Sequence, residues 1–319
     1  MNLRRLKYFV KIVDVGSLTQ AADLLHIAQP AISQQLATLE GEVRQQLLLR
    51  TKRGVIPTEA GKVLYRHAQL ILRQCDQAMV EMQATSLGLS GSVSIGLAPG
   101  TMAATLALPL LRILRDRHPG IVPYLNENYG TTLSELVMSG RMDLAVLYGG
   151  RTEVHGLQFL PLMREPLFLV GPGSMPAPAE TVSLQHLSQF NLYLPRSYNY
   201  IRKLVDEAFA GASLVPRVVA EIESAATLAA VIRDGLGATI VPTSMARELV
   251  VSCNAWQSRI VEPVIEAPLA LCRSDHLPLS EPAQAVKEIL MELVADIPGS
   301  FPKVKVKPAA KAGAEADTA

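Results

Sequence analysis

The stretch from Ser17 to Glu40, SLTQAADLLHIAQPAISQQLATLE, decides how this chain folds. Ser17 is placed to cap a short helix, and Gln20 stands three positions later, where a capping box requires it. Residues 26–28 form a turn, and Pro30 opens a second helix at a position where its missing N–H costs nothing. The sequence therefore predicts two short helices joined by a tight turn.

The second helix of this pair has two faces of different chemistry. Ile32, Leu36 and Leu39 share an apolar face on a helical wheel. The opposite face is small, polar and uncharged, and it carries Pro30, Ala31, Gln34, Ala37 and Thr38, with Ser33 on its edge. Because Gln can pair with an adenine edge and Ala can pack on a thymine methyl, we expect this face to enter a DNA groove. The alternative is a small-residue face that packs against another domain.

A basic hairpin follows the helix pair. Apolar segments around Leu48 and Val55 flank a tip that holds Thr51, Lys52 and Arg53. These three residues would lie against phosphates or reach into a minor groove. A basic hairpin by itself is more often a solvated turn, but its position directly after the helix pair favours a DNA-binding wing.

The charge distribution assigns DNA binding to the first residues alone. Residues 1–57 hold eight Lys and Arg against four Asp and Glu, a net charge of +4. Residues 89–319 carry a net charge of −3. A compact basic head on a slightly acidic body indicates that only the head meets a polyanion.

A long helix is predicted from about Glu59 to Leu87, capped by Thr58 and roughly 45 Å long. Small and apolar residues recur along it at alternating four- and three-residue spacing, which is typical of a coiled-coil seam. The seam consists of Leu64, Ala68, Ile71, Cys75, Ala78 and Met82. A dimer through this seam would place two recognition helices about one turn of DNA, or a multiple of it, apart. A helix packed on its own domain is the alternative.

Strands and helices alternate from residue 91 onwards, which predicts an α/β fold with two lobes and a cleft at the strand C-termini. The end of the chain is rich in Pro, Lys and Ala without apolar periodicity, so we expect it to be disordered. The predicted domains are a winged helix-turn-helix at 1–58, a linker helix at 59–88, a two-lobed domain at 91–297 (lobe I at about 91–162 and 268–297, lobe II at about 163–267) and a disordered tail at 298–319.

Other function classes find little support. There is no run of about 18 apolar residues and no export leader, so we expect a cytoplasmic protein without a membrane span. The three cysteines, Cys75, Cys253 and Cys272, lack metal spacing, and the six histidines form no HExxH motif. We therefore predict no metal, no cofactor and no catalysis. A solute-binding protein would share the two lobes but would need an export signal.

A set of residues spread over about residues 1–297 forms a recognisable pattern. It consists of Leu6, Phe9, Val13, Gly16-Ser17, Ala21-Ala22, Leu25, Gln29-Pro30-Ala31, Ser33, Leu39-Glu40, Leu47, Arg50, Thr58-Glu59-Ala60-Gly61 and, in DGLGATIVP, Gly235, Gly237 and Pro242. This pattern resembles that of the LysR-type transcriptional regulators. Within that family, the stretches similar to the nitrogen assimilation control regulators are LKYFVKIVDVGSLTQAA, RTKRGVIPTEAGK, SIGLAPGT, DLAVLYGG and QAVKEIL.

The resemblance implies a winged helix-turn-helix, a dimerising linker helix and a two-lobed regulatory domain like a periplasmic solute-binding protein. The implied partners are double-stranded promoter DNA, RNA polymerase and further copies of the chain in a homodimer or homotetramer. It implies activation or repression of nitrogen assimilation genes; the alternative is another catabolic pathway with a small carboxylate effector. The implied DNA-binding positions are Ser17, Thr19, Gln29, Pro30, Ala31, Ser33, Gln34, Thr38, Arg50, Thr51, Lys52 and Arg53.

Two residues depart from the family pattern. Arg44 stands where the family usually has Gly after the recognition helix, and a side chain in the left-handed conformation costs about 1 kcal/mol. Either the turn differs, or Arg44 accepts the strain and contacts a phosphate. Leu48 replaces a usual Phe and is a smaller core residue.

An effector cleft would lie between the lobes, where helix N-termini form anion sites. Arg196 would add a bidentate partner for a carboxylate. However, Ala98-Pro99-Gly100 replaces hydroxyl-bearing residues that are common in effector-responsive relatives. A small or empty cleft with a solvated Arg196 is therefore the alternative. The candidate cleft residues are Pro99, Gly100, Thr101, Asn128, Thr131, Tyr148, Arg196 and Ser197.

Overall fold

The computed structural model describes residues 1–51, 54–84, 89–150, 154–295 and 297. The first domain consists of α1 (Leu3–Val15), α2 (Leu18–Leu24), α3 (Gln29–Val43), β1 (Leu48–Thr51) and β2 (Gly54–Pro57). Its core joins Phe9 and Ile12 of α1 to the apolar face of α3, where Ile32 and Leu39 are fully buried. The apolar face predicted for α3 therefore holds the domain together.

Short polar side chains set the beginnings of the first two helices. Asn2 Oδ1 accepts a hydrogen bond from the Arg5 N–H at 2.9 Å. Ser17 Oγ accepts one from the Gln20 N–H at 3.4 Å, as its place in the sequence predicts. These bonds satisfy backbone donors that have no partner within the helix.

A close approach of two glycines ties the wing to the end of α1. Gly16 ends α1 with a φ of 69°, a left-handed conformation that Gly adopts without strain. The Gly16 carbonyl oxygen accepts a hydrogen bond from the Val55 N–H at 2.8 Å. A Cβ atom on Gly54 would stand 2.3 Å from that oxygen, so a side chain at this position would push the wing away.

The turn from α3 to the wing is left-handed at Arg44. Arg44 has φ 52° and ψ 36°, so the turn is the left-handed one and Arg44 carries its strain. Glu40 holds the same turn, because its Oε1 accepts hydrogen bonds from the N–H groups of Leu47 at 2.8 Å and Leu48 at 3.2 Å. Leu48, which stands where the family usually has the larger Phe, is buried in the core of the first domain.

The linker helix α4 (Glu59–Ala84) is 26 residues long, about 39 Å. It begins against the first domain, where the Tyr65 hydroxyl donates to the Asp14 carboxylate. Burial and this carboxylate raise the pKa of Tyr65 to about 12. The seam positions differ in exposure within a single chain: Ala68 is fully buried, Leu64, Ile71 and Cys75 are half-buried, and Ala78 and Met82 are exposed. Residues 85–88, the end of the predicted helix, lie outside the described residues.

Halfway along α4, Arg73 joins the linker helix to the regulatory domain. Its guanidinium forms an ion pair with Asp143, donates to the Gly140 carbonyl and donates to Ser94 Oγ at 3.1 Å. Asp143 in turn accepts hydrogen bonds from the N–H and the hydroxyl of Ser94, each at 2.7 Å. The periodicity of α4 does not reveal this contact, which fixes the regulatory domain against the middle of the helix.

The regulatory domain contains β3 (Gly91–Leu97), α5 (Met102–Arg117), β4 (Ile121–Glu127), α6 (Gly130–Met138), β5 (Leu144–Tyr148), β6 (Leu157–Pro172), β7 (Thr181–Ser183), α7 (Leu184–Leu187), β8 (Leu192–Leu194), α8 (Tyr200–Gly211), β9 (Val218–Glu221), α9 (Ala225–Arg233), β10 (Thr239–Pro242), α10 (Thr243–Cys253), β11 (Ala255–Val261), β12 (Glu266–Ser274) and α11 (Glu281–Ala295). Lobe I is the sheet β4-β3-β5-β12 with the first part of β6. No helix in the described ranges is long and apolar enough to span a membrane.

Strand β6 is 16 residues long and serves both lobes. Up to Pro166 it pairs antiparallel with β12, and from Leu167 it pairs with β10 and β11 in lobe II. The change of partner lies a few residues beyond the predicted boundary between residues 162 and 163. Strand β6 therefore runs from one lobe into the other.

Arg44→Gly is expected to stabilise α3 and the turn after it by up to about 1 kcal/mol, because it removes the left-handed strain of Arg44. Hydrogen exchange of the α3 amides in the full chain would measure the change. Gln45→Gly is the matched control, since Gln45 is exposed and has no positive φ; it should be neutral or slightly destabilising. Equal losses of protection in the two variants would contradict the assignment of strain to Arg44.

Candidate DNA-binding interface and interlobe cavity

The predicted DNA-binding face of α3 lies on the surface of the first domain. Its exposed residues are Pro30, Ala31, Gln34, Ala37 and Thr38. Thr38 Oγ1 donates to the Gln34 carbonyl at 2.8 Å, so the hydroxyl hydrogen is used within the helix. Among the hydrogen bonds of the described residues, none involves the Gln34 carboxamide. Gln34 is therefore the side chain on this face best able to pair with a base edge.

Arg50 connects the wing to the recognition helix. Its Nη2 donates to Ser33 Oγ at 3.0 Å, and the contact leaves Arg50 exposed and Ser33 half-buried. The sequence analysis assigns both residues to DNA binding, and the structure brings them together. The Arg50 guanidinium thus lies beside the uncharged face of α3 and donates to the Ser33 hydroxyl.

The remaining predicted DNA-binding residues lie on the wing, on α2 and at the start of α3. Thr51 Oγ1 donates to the Gly54 carbonyl at 3.1 Å and closes the hairpin. Thr19 is exposed on α2, next to the Ser17 that caps the helix, and Gln29 is half-buried at the start of α3. Lys52 and Arg53 lie outside the described residues, so contact of the wing tip with DNA stays a prediction.

An ionic network supports α3 from the side of α1. Arg5 Nε donates to Gln35 Oε1 at 3.0 Å, and Arg5 Nη1 pairs with Glu42 Oε1 at 2.6 Å. The terminal ammonium of Met1 lies 2.9 Å from Glu42 Oε2. Hydrogen bonds from this ammonium and from Arg5 lower the pKa of the Glu42 carboxyl. The sequence analysis missed this network, because nothing local relates Arg5 to a carboxylate 37 positions away.

A cavity of about 700 Å³ lies between the two lobes. Five of the eight predicted cleft residues line it: Pro99, Gly100, Thr101, Thr131 and Tyr148. Asn128, Arg196 and Ser197 do not. Arg196 is largely exposed and its Nε lies 4.0 Å from Glu221 Oε2, so the structure does not place its guanidinium in the cavity.

The described lining of the cavity is mostly apolar, with four charged residues. Lys203 is the cation, and Glu135, Glu207 and Glu223 are the carboxylates. Aromatic rings contribute further walls: Tyr198, which follows the candidate residues Arg196 and Ser197, and Tyr129, Phe159 and Tyr200, which the sequence did not indicate. No local sequence pattern marks these aromatic and acidic residues as lining a cavity, because only the fold brings them together.

The floor of the cavity is a set of buried, hydrogen-bonded polar groups. Thr101 caps α5, since its Oγ1 accepts from the Ala103 N–H at 3.0 Å and donates to the Ala98 carbonyl at 2.7 Å. The Tyr148 hydroxyl donates to Glu165 Oε2 at 2.7 Å. Burial, and then the adjacent Glu165 carboxylate, raise the pKa of Tyr148 well above its usual value. The hydroxyls of Thr101 and Tyr148, two of the residues predicted to line the cleft, are thus engaged within the protein.

Two solved structures share this architecture along nearly the whole chain. A full-length OxyR variant from Pseudomonas aeruginosa superposes with a TM-score of 0.70 at 22% identity, covering 97% of this chain and 99% of that one. CbnR, a LysR family transcriptional regulator, superposes with a TM-score of 0.67 at 24% identity, covering 93% and 100%. At these identities the likeness establishes the fold.

Sequence comparison identifies the family. The model of the bacterial regulatory helix-turn-helix protein, lysR family, matches residues 3–62, and that of the LysR substrate binding domain matches residues 86–295. The chain is 52% identical over 295 residues to the nitrogen assimilation regulatory proteins nac of Klebsiella aerogenes and Escherichia coli (strain K12), covering 92% of this chain and 96% of each relative. BsdA of Bacillus subtilis (strain 168) is 31% identical over 290 residues, covering 89% and 98%. The chain therefore belongs to the LysR family and is a LysR-type DNA-binding transcriptional regulator.

Proposed function

We propose that this regulator controls nitrogen assimilation genes. The observation that carries the proposal is the 52% identity, over 92% of the chain, to two regulators named for nitrogen assimilation. BsdA, a family member with another name, shares 31%. The regulator acts by binding DNA and not by catalysis. It binds promoters in the cytoplasm, where it contacts RNA polymerase.

DNA recognition is assigned to the exposed face of α3 and to the wing beside it. Gln34 and Ser33 read base edges, and Arg50 contacts the phosphates next to them. This division is supported by the uncharged exposed face of α3, the unengaged Gln34 carboxamide and the Arg50–Ser33 hydrogen bond.

Dimerisation is assigned to the far half of the seam on α4. Leu64 is among the apolar residues that pack on the first domain, and Ala68 is fully covered within one chain. Ala78 is exposed on the same helix and is available to a second copy. Two copies joined there would place two α3 helices on one duplex.

The interlobe cavity favours a second candidate, a LysR-type regulator of another catabolic pathway that responds to a small carboxylate. Its size suits a small ligand. The carboxylates of Glu135 and Glu223 disfavour an anion, however, and Lys203 is the one cation in the described lining that would attract it. Nitrogen control is therefore the better supported function.

Genome-wide mapping of bound DNA, with an epitope-tagged chain expressed from its own locus, tests the proposed function. Under nitrogen limitation we expect bound sites upstream of genes for the uptake and breakdown of nitrogen compounds. Binding confined to one catabolic operon, with no dependence on nitrogen supply, would support the second candidate instead. A Ser33→Ala/Gln34→Ala double variant provides the background, because it should lose the specific sites.

Gln34→Ala should weaken binding to a mapped promoter site by about 1–3 kcal/mol, roughly 5- to 150-fold, because a base edge loses its partner. Titration by fluorescence anisotropy at fixed salt would measure this. Gln185→Ala removes an exposed glutamine from lobe II and serves as the matched control, with affinity unchanged. Equal affinities of the two variants, together with unaltered preference among mutated sites, would reject the assignment of base reading to Gln34.

Ala78→Lys should dissociate the dimer, because an ammonium group would be buried between two helices. Ala78 is exposed in the single chain, so the substitution leaves the fold of one copy intact. Sedimentation velocity would show a smaller species and a weaker, less cooperative DNA complex. Asp76→Lys places the same side chain about 200° away on the helix and should leave the dimer unchanged. A dimer in both variants would refute the seam.

A further inference from the structure

A buried carboxylate lies where the two lobes meet. Glu165 stands in β6 immediately before the strand changes partner, and only 1% of its surface is exposed. Its Oε1 accepts from the Met102 N–H at 3.1 Å, and its Oε2 accepts from the Tyr148 hydroxyl at 2.7 Å and the Ser244 hydroxyl at 3.0 Å. Met102 and Tyr148 belong to lobe I, whereas Ser244 belongs to lobe II.

The carboxylate is held by helix N-termini in place of a cation. Met102 is the first residue of α5, and Ser244 is the second residue of α10, so the positive ends of two helices from different lobes converge on Glu165. Among the ion pairs of the described residues, none involves Glu165. Removal from water is costly for a carboxylate, and here these donors offset the cost. Burial raises the pKa of the Glu165 carboxyl above its usual value, and the hydrogen bonds from Tyr148 and Ser244 oppose this shift only in part.

We propose that Glu165 is an internal anion that ties lobe I to lobe II at the floor of the interlobe cavity. It fills the helix N-terminal positions that would otherwise bind a free carboxylate. Tyr148, Thr101 and Met245 line the cavity directly beside these groups, so a shortened side chain at position 165 would open the site to a small anion. The inference concerns the regulatory domain alone and stands or falls independently of nitrogen control.

The first test replaces the internal anion by a free one. Glu165→Ala in the full-length protein should lower the midpoint of thermal unfolding, and formate or acetate should raise it again by about 2 °C or more relative to chloride at equal ionic strength. Wild type and Glu180→Ala, which removes an exposed carboxylate, should show no difference between the anions. Identical curves for the Glu165→Ala protein in formate, acetate and chloride would overturn the proposal.

The second test uses single-donor variants that leave Glu165 in place, and it decides the question if Glu165→Ala does not fold. Ser244→Ala removes the lobe II hydroxyl, and Tyr148→Phe removes the lobe I hydroxyl. Because both hydroxyls act on one carboxylate, each variant should speed hydrogen exchange at the N-termini of both α5 and α10. Faster exchange only in the lobe that carries the substitution would indicate local packing without a tie between the lobes, and would overturn the proposal.

Discussion

Burial of one face of α3 is the interaction on which the DNA-binding half of the molecule depends. Ile32 and Leu39 have no exposed surface, so α3 cannot rotate without removing them from the core. That constraint turns Gln34 outward. Glu40 then holds the start of the wing through two backbone N–H groups, and Arg50 returns from the wing to contact Ser33. The face of α3 proposed to read DNA is thus oriented by the residues packed behind it and beside it.

The linker helix α4 connects the first domain to the rest of the chain. Its contacts within one chain, with α1 and with the regulatory domain, are not those of a regular coiled coil. Its first turns are packed on α1, and its middle is held to the regulatory domain by the ion pair between Arg73 and Asp143. A partly buried ion pair with further hydrogen bonds fixes orientation more than it adds stability. The free part of the helix, which includes Ala78, is therefore the part available for pairing two copies.

Features set by residues close together in the sequence could be predicted, whereas contacts between residues far apart in the sequence could not. The starts of α2 and α3 are set by local features, the Ser17 cap and Pro30, so they could be predicted closely. The contact of Arg73 with lobe I and the network around Glu42 join residues far apart in sequence, and no local pattern marks them. Strand β11 is hard to predict for a related reason, because Ser258 interrupts its apolar pattern. Ser258 is nevertheless buried, and its hydroxyl donates a hydrogen bond to the Ala179 carbonyl at 2.8 Å.

The first part of β6 shows the same limit and bears on how the cavity can be used. Pro161, Arg164 and Glu165 are unfavourable residues for a central strand, so the sequence predicts only the apolar segment after Pro166. In the structure Glu165 is buried and engages the N-termini of α5 and α10, which leaves neither helix end free for a ligand. A carboxylate effector would therefore have to compete with Glu165 for these two helix ends. On the proposal that Glu165 is an internal anion, the buried carboxylate that hides this part of the strand from sequence analysis would also oppose the binding of a second anion beside it.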